Sequence, residues 1–427
     1  MVGHNIKEFL FESKISSNVK CMIPQKLRWR LKNIFLKKSI DAYLEKQKNE
    51  SGYRKCSKGI NLIGAVKAEM GLGQSCRLLA NMIINCNYEL SVYDMEFDDN
   101  VKKEDTSFEA YISDLLPYGI NIFHVNPIEI GKVFAKIPEA WEGRYNIAFW
   151  LWELEEFPEE WILYCNLFDE IWTPSQFAAD SIRRITNVPV RVIPYFVTVH
   201  HNNKLGRKDF GLPEDKFLFL SMFDVNSTLG RKNPMGAVKA FKYAFSPEDS
   251  DVGMVFKVNN TAGNNLEILK SELKSYDNIY FITETMEKEK VNCLIDSVDV
   301  FVSLHRSEGF GLVMAEAMLL GTPVIATNWS SNTEFMDKSV SCMVDYILIK
   351  NPKREGLYQK GCIWAEPEHQ QAADYMRKLA GDKEYCRLMG RKAKQFVEEK
   401  LGKEKTINIL GKELDRVWMW ISTKSEL

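Results

Sequence analysis

Two glutamates, Glu308 and Glu316, stand eight positions apart in Ser307-Glu-Gly-Phe-Gly-Leu-Val-Met-Ala-Glu-Ala-Met318. The stretch leaves an apolar strand-like run, Asp299 to Leu304, and turns between Gly309 and Gly311. It then enters a helix that Gly321 and Pro323 should close. Eight residues is slightly over two helical turns, so both carboxylates are expected on one side. The first free amides of that helix, at Gly311 and Leu312, would attract an anion, and the carboxylates accept hydrogen bonds from sugar or ribose hydroxyls. Cations to balance them are available. Lys232 follows Arg231 in Leu229-Gly-Arg-Lys-Asn-Pro, at the start of a helix, where a basic group can neutralise a departing diphosphate. Lys257 ends the apolar run Met254-Val-Phe-Lys, either as a second phosphate contact or as an edge-strand lysine that discourages aggregation.

These residues need a frame. At 427 residues the chain exceeds one hydrophobic core, so two domains are expected. Gly59 to Val66 begins the first, with further strands at 89–93, 121–125, 145–149, 170–173 and 190–193. A helix is expected from Ser75 to Asn85, after the loop carrying Gly71, Leu72 and Gly73. A polar stretch from Thr198 to Gly211 precedes a second set at 217–223, 252–258, 279–281, 300–304, 324–326 and 342–344. Strands alternating with helical stretches make an α/β chain with parallel sheets, and ligands sit at the C-terminal strand ends.

The run Glu308-Gly-Phe-Gly-Leu to Glu316, followed by Gly321-Thr-Pro-Val-Ile-Ala-Thr, resembles the donor-site signature of retaining GT-B glycosyltransferases, in particular glycosyltransferase family 4. Weaker resemblance extends from about Gly59 to the C-terminus. It implies two Rossmann-like domains facing each other across a cleft: an acceptor domain over 56–203 and a nucleotide-sugar donor domain over 204–400. A basic arm over 1–55 precedes them, and a helix over 401–427 crosses back to the first. Glu308 would bind the hydroxyls of a donor hexose, Glu316 the ribose of the nucleotide, and Lys232 the diphosphate. Gly309, Phe310, Gly311 and Leu312 would form the donor loop, with Glu334 near it. Where the family places an arginine this chain has Ser227, so Arg231 would substitute. The resemblance also implies same-face attack in which the leaving phosphate takes the acceptor's proton, with no divalent metal and no other cofactor.

In the first domain, His124 resembles the residue that touches the transferred sugar in related enzymes; a lone histidine is otherwise a satisfied core residue. Its neighbour Asn126 shares that position. Gly71-Leu72-Gly73 either borders the donor phosphate or acceptor, or is a structural turn; with Cys76 it falls short of a dinucleotide fingerprint. Trp152 and Glu153 combine an indole face and a carboxylate suited to an acceptor sugar, although aromatic stripes are usually core.

Composition narrows the partners. A net charge of -2 and no recognisable motif argue against nucleic acid. The nine cysteines form no C-x-x-C pair, which together with no signal peptide suits reduced thiols in a cytoplasmic protein. Residues 20–38 hold seven basic residues and no acidic one, with Leu27, Leu31, Ile34 and Phe35 at helical spacing. Such an arm either lies on an anionic membrane surface, at the inner face of the membrane, or packs on the protein's own first domain. The expected function is hexose transfer from a nucleotide sugar to a glycan or lipid-linked acceptor, in polysaccharide or glycoconjugate biosynthesis. The alternatives are a catalytically silent glycan-binding or scaffold module, or a phosphorylase or epimerase on the same architecture.

Overall fold

The computed structural model describes residues 25–49, 52–96, 102–202, 204–225, 228–259 and 265–425. The first lobe is a sheet of β1 (Ser57–Gly64), β2 (Leu90–Asp94), β3 (Tyr118–His124), β4 (Tyr145–Phe149), β5 (Glu170–Thr173) and β6 (Val190–Val192). Its strands are parallel, in the order β2-β1-β3-β4-β5-β6. The second lobe carries β7 (Phe217–Asp224), β8 (Val252–Asn259), β9 (Ile279–Ile282), β10 (Val300–Ser303), β11 (Val324–Thr327) and β12 (Cys342–Val344), in the order β12-β11-β10-β7-β8-β9. Helices cover both faces, so the strands are continuous apolar runs rather than alternating ones. That is why they were legible in the sequence.

Strand order reverses between β1 and β3 in one sheet and between β7 and β10 in the other. Loops leaving such adjacent strands diverge to opposite faces and open a crevice at their C-terminal ends. The loops after β7 and β10 carry Arg231, Lys232 and Glu308; those after β1 and β3 carry Gly71–Gly73 and Asn126, with His124 ending β3 itself.

The first sheet is pinned by a buried ladder. Asn61 donates to Asn121 and Asn121 to Asn146, each at 2.8 Å, across β1, β3 and β4. A one-residue slip would turn these amides onto the wrong face, so the ladder fixes the register.

Among helices of eight residues or more, those of the first lobe are α1 (Gln25–Asn49), α2 (Gly71–Asn85), α3 (Pro127–Lys136) and α4 (Gln176–Arg183). Those of the second are α5 (Pro234–Ala244), α6 (Asn265–Glu272), α7 (Lys288–Asp296), α8 (Leu312–Leu320), α9 (His369–Gly381) and α10 (Lys383–Leu401), followed by α11 (Lys403–Ser425). Helix α2 starts at Gly71 rather than at Ser75, so the expected glycine loop is its first turn. A Cβ on Gly73 would lie 2.0 Å from the Ala68 carbonyl oxygen, and close approach to the preceding turn is what requires glycine there. Lys257 lies on β8, between β7 and β9, so it is not an edge-strand lysine. An antiparallel ribbon of β13 (Tyr346–Lys350) and β14 (Ile363–Pro367), inserted between β12 and α9, was not anticipated.

Leu36 and Ile40 of α1 are buried, Leu36 packs at Gly131 of α3, and the Tyr43 hydroxyl donates to the Trp141 carbonyl at 2.7 Å. The rear of the arm therefore packs on the first lobe. Ile34 is 51% exposed. Residues 20–24, and the side chains of Leu27, Leu31 and Phe35, lie outside the described residues.

Helix α11 buries Leu410, Leu414 and Val417. It is joined to the first lobe by Tyr88 donating to Asp415 at 2.7 Å and by Arg416, whose Nη2 is 2.6 Å from the buried Glu170. Arg191 contacts the same carboxylate at 3.2 Å. Removing one of two cations from a buried carboxylate is costly, and Arg416→Ala should lower stability by roughly 1–3 kcal/mol. Urea denaturation checks this; an unchanged midpoint contradicts it.

Candidate active site

The two loops at the second switch point are stitched together by their backbones. Arg306 donates its amide to the Arg231 carbonyl at 2.7 Å and its guanidinium to the Gly230 carbonyl at 2.6 Å. Asn233, in the left-handed region at φ 49°, caps α5 through Gly236 and donates to the Leu304 carbonyl at 2.8 Å. This brings Lys232 Nζ to 2.5 Å from Glu308 Oε1 and Arg231 Nη1 to 3.1 Å from Oε2. Burial alone would raise the Glu308 carboxyl. Lys232 and Arg231 outweigh it and bring the pKa down to about 2. A carboxylate held there accepts hydrogen bonds and is a poor base.

The Glu308 backbone is held as tightly. Its amide donates to Ser330 Oγ at 2.9 Å and its carbonyl accepts from Ser331 Oγ at 2.7 Å. Ser330 (φ 72°, ψ -156°) and Thr228 (φ 60°) occupy conformations that side chains disfavour, and both flank this site. Local strain of this kind persists where surrounding contacts over-determine the backbone.

The other expected donor residues divide. Glu316 is buried against Lys288 of α7, with Nζ at 2.5 Å, so the two glutamates share no partner. Gly311 has φ 97° and precedes the first turn of α8, where no side chain caps the amides of Gly311 and Leu312. A Cβ on Gly309 would come within 3.0 Å of the Trp152 carbonyl oxygen. The Phe310 ring is buried edge-on against Tyr195, centroids 5.0 Å apart, and so packs in the core. Lys257 is buried and donates to Asn259; desolvation draws its pKa down. The position near Ser227 lies outside the described residues.

Glu334 bridges to the first lobe. Its carboxylate accepts the amides of Gln176 and Phe177, each at 3.0 Å, and so caps α4 of the opposite lobe. Trp152 is corrected: it is buried among Trp161, Phe157 and Tyr358 and donates to the Glu156 carbonyl at 2.9 Å. Its indole has no face to offer a sugar. Glu153 accepts from the Tyr358 hydroxyl at 3.1 Å, with Oε1 3.9 Å from Arg231. Tyr358 belongs to the loop joining β13 and β14, and no spacing rule pointed to it.

His124 ends β3 fully buried, with Nε2 2.6 Å from Ser75 Oγ, which also contacts the Tyr195 hydroxyl. Burial lowers its pKa to about 4, so the ring is neutral. Asn126 caps α3 by position and accepts the Leu151 amide at 3.2 Å. Gly71 is exposed, Leu72 half-buried and Gly73 buried in the first turn of α2, facing the same crevice end.

Residues 203–396 match the family described as "Glycosyl transferases group 1". The match lies over the second lobe. The O-antigen biosynthesis glycosyltransferase WclY of Escherichia coli is 28% identical over 162 residues, covering 36% of this chain and 43% of that protein. The chain thus matches less than half the length of this curated relative. Among solved structures, Anabaena HepE in complex with UDP and glucose has a TM-score of 0.63 at 13% identity, over 84% of this chain and all of that one. Sucrose-phosphate synthase from Thermosynechococcus elongatus has a TM-score of 0.64 at 15% identity, over 85% of this chain and 100% of that one. The architecture is GT-B: two Rossmann-like lobes across a cleft. Among the described residues no cluster of three His, Cys, Asp or Glu side chains is placed to hold a metal ion.

The neutral His124 has a pH consequence. Its folded pKa lies below the unfolded value near 6.5, so the unfolded chain binds more protons as pH falls from 6.5 through about 4. Wild type should lose on the order of 2–3 kcal/mol relative to His124→Gln across that window. Paired urea melts at pH 7 and pH 4.5 check this; a pH-independent difference contradicts it.

Proposed function

We propose that this protein is a retaining hexosyltransferase that moves a sugar from a nucleotide-sugar donor to a glycan or lipid-linked acceptor in polysaccharide or glycoconjugate biosynthesis. One observation carries the reading: Glu308 is kept ionised between Lys232 and Arg231 at the switch point of the group 1 domain, facing the cleft. Lys232 is 26% exposed on its side chain and can turn from Glu308 to an arriving diphosphate. The carboxylate it releases then accepts hydroxyls of the transferred hexose. Catalysis would rest on position and electrostatics, with the leaving phosphate taking the acceptor's proton. Glu316 would hold the ribose and the first-turn amides of α8 the diphosphate, with no divalent ion. O-antigen assembly by WclY and the UDP and glucose bound to HepE support a nucleotide-sugar reaction of envelope-glycan type. His124, buried in this arrangement, reaches a sugar only if the crevice end opens.

Release of nucleoside diphosphate from UDP-, GDP- and ADP-sugars, with and without acceptor extract, tests the reading. Ligand binding raises stability by RT ln(1+[L]/Kd), about 2.7 kcal/mol at a hundredfold excess over Kd, so a thermal-shift screen finds the donor first. Glu308→Gln and Lys232→Ala should each lower kcat/KM by at least roughly a hundredfold with the circular dichroism unchanged. Wild-type turnover by either variant contradicts the assignment, and binding of a sugar nucleotide without turnover favours the silent module.

The basic arm supports a place at the inner face of the membrane. Among the described residues no helix is long and apolar enough to cross a membrane. Binding to anionic vesicles should fall in high salt and on charge reversal at Arg28, Arg30 and Lys32. Vesicle binding indifferent to both contradicts the electrostatic arm.

A further inference from the structure

The inserted ribbon does more than extend the second lobe. Trp364 of β14 lies 5.5 Å from the Arg306 guanidinium, and Glu366 pairs with that group at 2.5 Å. The Ala365 amide donates to the Arg306 carbonyl at 2.9 Å, so β14 is fastened to the loop that carries Glu308. Between the strands the chain turns back: Glu355 accepts the Gly230 amide at 3.1 Å, beside Lys232. The same return loop buries Tyr358, whose ring packs 5.8 Å from Trp152.

From there a continuous polar path crosses between the lobes. The Tyr358 hydroxyl donates to Glu153 Oε2 at 3.1 Å, Glu153 Oε1 stands 3.9 Å from Arg231, and Arg231 holds Glu308 at 3.1 Å. Ser307 donates to the Glu153 carbonyl alongside it, and Arg231 donates to the Ser307 carbonyl at 2.8 Å. Arg231 Nη1 contacts both Glu308 and Ser307 and Nη2 stands 3.9 Å from Glu153, while Nε is buried with no hydrogen-bond partner and the Tyr358 ring lies 6.0 Å away. At 5% exposure this guanidinium faces the protein's own carboxylate and carbonyl groups, whereas Lys232 is the more exposed cation of the pair.

We propose that Arg231 and Tyr358 are positioning residues: the ribbon, through Tyr358 and Glu153, fixes Arg231 and thereby the orientation of Glu308 toward the donor sugar, making that orientation depend on contact between the lobes. The proposal rests on the transfer reading above for its kinetic consequence. Its structural consequence stands alone. Lys232, which answers the diphosphate, is outside the path, so losing the path should weaken catalysis more than donor binding.

Two measurements test it. With the donor found by the screen, Tyr358→Phe keeps the ring and removes the hydroxyl; kcat should fall about tenfold or more while donor KM changes less than about threefold. Glu153→Gln should do the same, and the double variant should be no worse than the more damaged single one, because both act through one path. Multiplicative effects, or a Tyr358→Phe enzyme with wild-type kcat, overturn the proposal. Hydrogen exchange needs no substrate. Tyr358→Phe should speed amide exchange at residues 152–156 and 307–309, beyond the ribbon itself. Faster exchange confined to the ribbon overturns the proposal even if no sugar nucleotide is turned over, an outcome that would by itself contradict only the transfer reading.

Discussion

The site depends on keeping one carboxylate charged where water is nearly excluded. Burying an ionised glutamate is expensive unless cations and hydrogen bonds replace its hydration. Here Lys232 and Arg231 supply the charge, and the Ser330 and Ser331 hydroxyls hold the backbone on either side. Neither cation is adjacent to Glu308 in sequence. They meet because strand order reverses between β7 and β10, and the loops diverging there are tied by Arg306 and Asn233. A parallel sheet with a switch point converts two distant stretches of chain into one charge cluster at the mouth of a cleft.

Contact between the lobes is built from the same loops. Ser175 donates to the Gly309 carbonyl at 2.9 Å, Glu334 caps α4, and Glu153 reaches toward Arg231. At the far side, α11 returns to the first lobe and sets Arg416 on Glu170. The geometry around Glu308 and the geometry of the lobes are therefore not independent. A shift of the first lobe would be felt at Ser307 and Gly309, the residues on either side of the carboxylate.

Much of this was legible in the sequence, for a physical reason. Strands of a doubly covered sheet are uninterrupted apolar runs, so Phe217 to Phe223 and Val300 to Leu304 declared themselves. The glycine-bracketed turn at Glu308 and the Gly-Arg-Lys-Asn-Pro turn at Lys232 carried enough local chemistry to be paired before any fold was known. What stayed hidden depended on long-range contact. Tyr346-Ile-Leu-Ile forms a ribbon with Ile347 and Leu348 exposed, a pattern that neither a buried strand nor an alternating one would give. Tyr358 sits in a polar loop with no motif. Glu334 follows a strand end and resembles a donor-site residue, but that its carboxylate also caps α4 of the other lobe could not be read from the sequence. Trp152 shows the converse: an aromatic beside a carboxylate suggested a sugar platform, and packing with Trp161 and Phe157 turned it inward.

The central claim is that Glu308 grips the sugar while Lys232 answers the diphosphate. Calorimetric titration of the nucleoside diphosphate and of its sugar ester, into wild type and Glu308→Gln, separates the two roles. The account predicts that Glu308→Gln binds the free nucleoside diphosphate as wild type does, within about threefold, and loses about tenfold or more in affinity for the sugar ester, since hydrogen bonds to a charged group are worth about 1.5–3 kcal/mol. Equal losses for both ligands, or none for either, would contradict it.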